Sequence, residues 1–487
     1  MISKLLARVR PPREPSRRAF AAAQLSRLTE QWITTRDDIA RELRSDLDAL
    51  RDRSRQLEKD NDFAARYLEL VETNIIGDTG VTLIPLAADA PGRPDQMARD
   101  AIMAAWQEWG RQGSCEVSGS MSWLELCWAI VRGTARDGEY LVEEIIGRDA
   151  GNRFNYALRV HDVARIATWL NREASQGANA ISCGVEIDAF GRPVRYYLAR
   201  EARTSRYSRD VVALDASRVI HRFRTRWADQ PRGVPWTHAA MLSMHYAGEF
   251  ALSALLAAKY GADHLGFFVT PDGQAPALGG DEQSDGSRIV SSAPGTWETL
   301  PAGVEVKDID TKYPSEAFDP FLKAANRRIA SGLNVSYPAL CNDHADLNYN
   351  SIRATQTDDR DQWRKAQSWF RENWLERVFD RWFDVAMAAG AITMPNGSAL
   401  PITKAAKFRA HAWQFRGWAS NDPLKDVEAF REAVSLGVDS RTAYVARSGR
   451  AIEDVIDDLK RERELAAQAD VDVNGRQPAA PAPAPTT

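Results

Sequence analysis

His245 and Glu249 stand four residues apart in an apolar run, a spacing that sets two metal-ligating side chains on one face of a helix. No third ligand stands near them, which favours a satisfied buried pair over a metal site. His344 lies between Asp343 and Asp346 in an Asn-rich stretch, where a metal or acid–base cluster competes with a plain solvated loop. Asp343, Asp346 and Asp358 are the carboxylates that could hold Mg²⁺ for phosphodiester cleavage, as a nuclease or other hydrolase would require. Lys323 and Arg327 stand on a predicted helix away from its apolar face, on a side free to meet a partner.

Stronger catalytic signatures are missing. There is no G-x-x-x-x-G-K-[ST] phosphate cradle, no G-x-G-x-x-G after a strand, no G-x-S-x-G elbow and no H-E-x-x-H. The sequence announces no enzyme and no cofactor. Its four cysteines, Cys115, Cys127, Cys183 and Cys341, form no C-x-x-C pair and suggest neither a disulfide framework nor a zinc ribbon.

These residues need a scaffold, and 487 residues are enough for two to four packed units. With 63 Lys and Arg against 67 Asp and Glu, the chain carries a net charge of −4, which argues against coating nucleic acid by bulk charge. Any DNA contact should be local or loose. The Arg-rich first eighteen residues lack the apolar core of a signal peptide and predict a basic arm. The apolar run Ala239 to Ala258 carries His245 and Glu249 near its middle, which speaks against a membrane span.

The spacing predicts one or two solvated helices from Glu30 to Leu70, a Gly-punctuated strand in "NIIGDTGVTLIP", and a helical core segment with Trp106, Trp109, Trp123 and Trp128. Between Gly138 and Arg224 the period becomes two, with a hairpin at Gly191-Arg192-Pro193. A helix apolar on nearly every side follows from about Thr237 to Tyr260 and must be surrounded by protein. Residues 266 to 310 read as a loop-and-strand insertion. A second helix runs from about Ser315 to Leu333, and a Gly/Asn/Asp-rich interruption spans Asn334 to Asn350. A third helix, Ser351 to Ala389, carries the stripe Trp363, Phe370, Trp374, Phe379, Trp382 and Phe383. Short helices punctuated by Gly437 and Gly449 fill Asp422 to Gln468, before a Pro/Ala tail expected to be disordered.

Four ordered blocks, "LRDRSRQLEKDNDFAARYLELVETNIIGDTGVTL", "HRFRTRWADQPRGVPW", "RRIASGLNVSYPALCNDHADLNYNSIRA" and "DPLKDVEAFREAVSLGVDSRTAYVARSGRAIEDV", resemble the lambda-type family of phage portal proteins from about residue 45 to 465. Asn350 stands where relatives often carry Ser. The resemblance implies an α+β, mainly helical portal fold of wing, stem, clip and crown, assembled as a ring. It places an arm and wing at 1–235, stem helices at 236–266 and 315–333, and a clip at 267–314. A tunnel loop falls at 334–350, a long wing helix at 351–395, a crown at 396–470 and the tail at 471–487.

Its function would be the channel at one capsid vertex through which DNA is packaged and ejected. Asn342, Asp343, His344, Asn348, Tyr349 and Asn350 would face the channel, with Lys323, Arg327 and Arg328 at DNA or intersubunit contacts. The implied partners are further copies of the chain, normally twelve, double-stranded DNA, a separate terminase, the major capsid protein and a head–tail connector. The implied location is the virion vertex, with assembly in the host cytoplasm. A capsid-associated connector or scaffold protein without a channel, and the acidic nuclease, are the competing readings.

Overall fold

The computed structural model describes residues 37–90, 93–200, 210–263, 267–269, 281–282, 288–289, 305–307, 318–345, 348–418, 423–447 and 452–469. The expected basic arm, the Pro/Ala tail, Asp346, Gly449 and most of the expected clip lie outside the described residues.

The predicted first helical stretch is two helices, α1 (Ile39–Asp60) and α2 (Asp62–Ile75), with Asp38 and Asn61 as their N-caps. Asn61 accepts the Ala64 N–H with its side chain, which starts α2 as α1 ends. Neither helix is merely solvated. Leu43, Leu47 and Arg51 are buried on α1, and Tyr67, Leu68, Val71 and Ile75 on α2.

The strand expected in "NIIGDTGVTLIP" is β1 (Thr82–Pro85), followed by the short pair β2 (Ala88–Ala90) and β3 (Arg93–Pro94). Helices α3 (Gln96–Trp109) and α4 (Trp123–Asp137) supply the Trp-rich core. A reciprocal Ser122–Glu125 capping box starts α4, and Gly138 at φ +90° ends it. Strands β4 (Glu139–Ile146) and β5 (Tyr156–His161) follow.

Next come β6 (Ala180–Ser182), β7 (Val185–Ile187), β8 (Pro193–Ala199), β9 (Val211–Asp215) and β10 (Val219–Phe223). They form an antiparallel four-stranded sheet, β6-β7-β8-β9, and a three-stranded sheet, β10-β4-β5. The expected hairpin at Gly191-Arg192-Pro193 is the β7–β8 turn, with Val185 opposite Tyr196.

Helix α5 (Met241–Asp263) leads into two antiparallel pairs, β11 (Phe267–Val269) with β14 (Glu305–Lys307) around β12 (Asp281–Glu282) with β13 (Arg288–Ile289). The chain returns through α6 (Phe318–Leu333), α7 (Tyr337–Cys341) and α8 (Tyr349–Phe370). One π-helical turn at Arg371–Leu375 joins α8 to α9 (Glu376–Ala388), so the third predicted helix is one rod with an extra residue per turn in its middle. After α10 (Ala405–Phe408), β15 (His411–Gln414) pairs with β1, Leu83 opposite Trp413. Helices α11 (Pro423–Ser435), α12 (Arg441–Arg447) and α13 (Ile452–Ala469) complete the described chain.

The main core lies between α2, α3, α4, β4, β5 and the α8–α9 rod. Trp106 meets Trp109 and Trp382 with centroids 4.9 Å apart, and Trp123 stacks on Trp374 at 5.7 Å and 9°. The stripe predicted on the third helix packs here, with Phe370, Trp374, Phe379, Trp382 and Phe383 wholly buried. Such edge-to-face and offset contacts add roughly 0.5–1.5 kcal/mol each beyond area burial.

One buried carboxylate ties this core to the α1 side. Glu139 accepts from Arg232 through both oxygens, from Arg51 Nη2 at 2.9 Å, from His221 Nε2 at 3.0 Å and from the Gly233 N–H at 2.8 Å. Burial alone would raise the Glu139 pKa, but Arg232, His221 and Arg51 hold it well below the usual carboxylate range. The backbones interlock beside it. A Cβ on Gly138 would lie 2.3 Å from the Val234 carbonyl carbon, and one on Gly233 would lie 2.2 Å from the Gly138 oxygen, so both positions require glycine. His221, Arg232 and Gly233 all belong to the "HRFRTRWADQPRGVPW" block, whose physical purpose is this lock.

Candidate functional site

Helices α5 and α6 pack antiparallel, because Gly332 near the end of α6 sits against Ala240 just before α5, while Phe250 meets Phe318 and Phe321 at 6.0 and 5.1 Å. A Cβ on Gly332 would fall 3.0 Å from that of Ala240, so the small pair sets the close approach. Met241, Met244 and Ala254 are buried on α5, and Ile329, Ala330 and Leu333 on α6.

The helix expected to be surrounded by protein is covered by its own chain on one side only. Leu242, Tyr246, Phe250, Leu252, Leu255 and Leu256 are all exposed. Between the two helices runs an open groove of about 600 Å³, lined by Leu242, Tyr246, Phe250, Phe321 and Leu322, with Arg328 at its wall. Large exposed apolar side chains clustered in this way on one protomer are a candidate contact surface. His245 and Glu249 share it. Their side chains, 3.4 Å apart, are 57% and 61% exposed, which corrects the expected buried pair.

The basic residues of α6 are engaged locally. Lys323 pairs with Asp319 at 3.2 Å one turn earlier, and Arg327 lies over the Tyr337 ring at 5.5 Å. Neither contact uses up its positive charge, since the first is solvent-exposed on its acidic side and the second is a cation–π contact.

The predicted loop 334–350 is partly helical. Ser336 caps α7, accepting the Ala339 N–H, and donates its hydroxyl to Asp359 on α8, which also accepts the Ser336 N–H. Ser336 followed by Pro338 was the readable start signal for this short helix. Asn342 ends it at φ 53°, its amide oxygen accepting from Arg66 on α2 at 3.1 Å. Asp343 accepts from the Tyr337 hydroxyl at 2.7 Å and from the Ala345 N–H, and the Tyr337 bond first among these causes lowers its pKa. Burial and then Asp343 push Tyr337 up to about 12.

His344 is exposed. Asn348 is the N-cap of α8, accepting the Ser351 N–H at 2.8 Å, so Tyr349 and Asn350 fall in the first helical turn, where sequence had placed a loop. Asp358 sits exposed on α8. Among the described residues no three His, Cys, Asp or Glu side chains gather as a metal site, and no helix is long and apolar enough to cross a membrane. Asp359, Arg66 and Tyr337 were not anticipated. Their roles arise from contacts between distant segments, which no local pattern carries.

Against this arrangement stand comparisons with known proteins. The model of the family described as phage portal protein, lambda family, matches residues 25–367. A probable portal protein of Halomonas phage phiHAP-1 is 31% identical over 468 residues, covering 93% of this chain and 88% of that one. Portal protein B of Escherichia phage lambda is 20% identical, covering 84% of this chain and 82% of its own length. A chain in the neck of an empty gene transfer agent particle aligns at 15% identity and a TM-score of 0.43, over 83% of this chain and 93% of that one. The chain belongs to the lambda family of phage portal proteins.

Proposed function

We propose that copies of this chain close into a ring, through their α5/α6 faces, around a channel for double-stranded DNA at one capsid vertex. The observation that carries this reading is the exposed apolar surface of α5 beside an equally apolar groove on the same protomer. One copy's Leu252, Leu255 and Leu256 can fill the groove of the next, a heterologous contact that ends only by closing on itself.

In this reading 1–235 supplies arm and wing, α5 and α6 the stem, 267–314 the clip, 351–395 the long wing helix and 396–470 the crown, whose helices are α11 to α13. Residues 334–350 line the channel, with Asn342, Asp343, His344, Asn348, Tyr349 and Asn350 presenting a polar, near-neutral surface. Such a surface lets phosphates slide, where strong ion pairing would brake them. Lys323, Arg327 and Arg328 meet the neighbouring subunit or the DNA. The chain is structural, with packaging driven by a separate terminase. The ring docks on the major capsid protein and a head–tail connector after assembly in the host cytoplasm.

Electron microscopy with mass photometry of the purified protein tests this. A closed ring of about a dozen copies with a central hole is expected. Leu252→Asp with Leu255→Asp should leave folded protomers that do not close. His344→Ala with Asn348→Ser, which keeps the α8 cap, should leave rings intact and impair DNA packaging or retention. A compact monomer at every concentration would overturn the ring, and normal genome filling in the loop variant would remove those residues from the channel.

A further inference from the structure

Away from the stem groove lies a second cavity, of about 500 Å³, bounded by Tyr67 of α2, the segment 224–236, the end of α6 and the Gln362–Trp369 stretch of α8. Its lining is cationic and aromatic. Arg224, Arg226 and Lys365 face it together with Tyr67, Trp236 and Trp369, and among the described residues the lining includes no Asp or Glu.

Arg224 is the unusual member. Its guanidinium lies over the Trp236 ring at 3.4 Å and 6.0 Å from Trp369, so its flat face is covered by indole while its edge N–H groups have no hydrogen-bond acceptor among the described residues. The Arg226 side chain reaches His238 at 3.3 Å, and the cavity lining offers Lys365 no Asp or Glu. Burial lowers the Arg224 pKa to about 10, offset in part by Tyr67 and deepened by Arg226, with no carboxylate among the causes. Elsewhere in this protein buried cations are answered by acids, as Arg51 and Arg232 are by Glu139. Here a half-buried arginine and two exposed cations line one cavity with no carboxylate among them, a positively charged concavity suited to an anion.

We propose that this cavity binds a phosphate-class oxyanion, held by Arg224, Arg226 and Lys365. A single carboxylate would neutralise one of the three charges and fill a small part of the space. A tetrahedral phosphate offers acceptor oxygens to donors arriving from separate directions, and stacked arginine with planar N–H edges is suited to grip it. The source is either free phosphate or the phosphodiester of a nucleic acid strand. The site is separate from the α5/α6 groove, and the inference does not depend on ring closure.

Isothermal titration of the full-length protein with inorganic phosphate, and separately with a thymidine dinucleotide, reads it directly. Saturable binding of phosphate is expected, unmatched by succinate at equal ionic strength. Arg224→Met and Lys365→Gln should each weaken it about tenfold, the loss of one charge-assisted hydrogen bond. Lys365 is exposed, so its replacement leaves the fold intact even where loss of Arg224 does not. Binding of the dinucleotide as well would assign the site to a strand phosphate, and binding of phosphate alone to the free anion. Absence of saturable binding, equal affinity in Lys365→Gln, or an Asp or Glu of a second copy seated among these cations in an assembled ring would overturn the proposal.

Discussion

Leu68 on α2 and Leu255 on α5 are the same side chain in two helices of one molecule, yet Leu68 is 1% exposed and Leu255 67%. Around Leu68 the chain completes its own core, with the tryptophans of α3 and α4 against those of the α8–α9 rod and Glu139 saturated by donors. Around Leu255 the apolar surface is left open. The contrast separates a surface that the protomer covers itself from one that it leaves open, and it turns on whether partners lie within one chain.

The largest effect should come from the saturated side. Glu139→Gln leaves Arg51 and Arg232 buried without their counter-charge, and breaking a buried pair by removing one member costs about 3–5 kcal/mol. Chemical denaturation of the protomer measures it, and a loss under about 1 kcal/mol would show that the lock is not what holds the α1 side to the core.

The second test sets the two leucines against each other. Leu68→Ala should cost about 2–5 kcal/mol, as a large-to-small change in a packed core does, and Leu255→Ala under about 0.5 kcal/mol in unassembled protein. The same Leu255 change should weaken assembly, so comparable costs for the two in the protomer would erase the distinction between the regions.

The third effect is a pH dependence confined to the body. Burial lowers the pKa of His161, His221 and His238, while Glu139 is held below the usual carboxylate range. Each group therefore binds fewer protons folded than unfolded, and stability falls with acidification. The first decline begins as pH drops through about 6.5, at up to about 1.4 kcal/mol per pH unit for each histidine, and a second begins below about 4.3 as the unfolded Glu139 takes up its proton. Denaturation midpoints between pH 7.5 and 5 should shift less in His161→Gln than in wild type. An unchanged slope would mean that this imidazole titrates alike in both states.

The helices were legible because their periodicity is local. The aromatic stripe from Phe370 to Phe383 announced a buried face before any partner was known, and the Gly191 hairpin carried its own turn chemistry. Glu139 was not legible, since a lone acid before an alternating run reads as a surface residue until Arg51, Arg232 and His221 converge on it from 82 to 93 residues away. The β1–β15 pair was hidden for the same reason. Among the site residues, Asn342 and Asn348 were flagged for polarity, but their tasks of ending α7 and starting α8 depend on a short helix that only Ser336 and Pro338 hinted at. The exposed His245–Glu249 pair was misjudged because an apolar run gives no sign of whether its cover comes from the same chain.

The indole cluster also sets an order of events during synthesis. Trp374 and Trp382, which close over Trp106, Trp109 and Trp123, leave the ribosome roughly 270 residues after the first of them, about 15–55 s at some 5–20 residues per second. Throughout that interval the nascent first half displays its tryptophans uncovered, while the α5 surface emerges beside it. Until the core is finished, that uncovered surface is the part of the chain most open to aggregation.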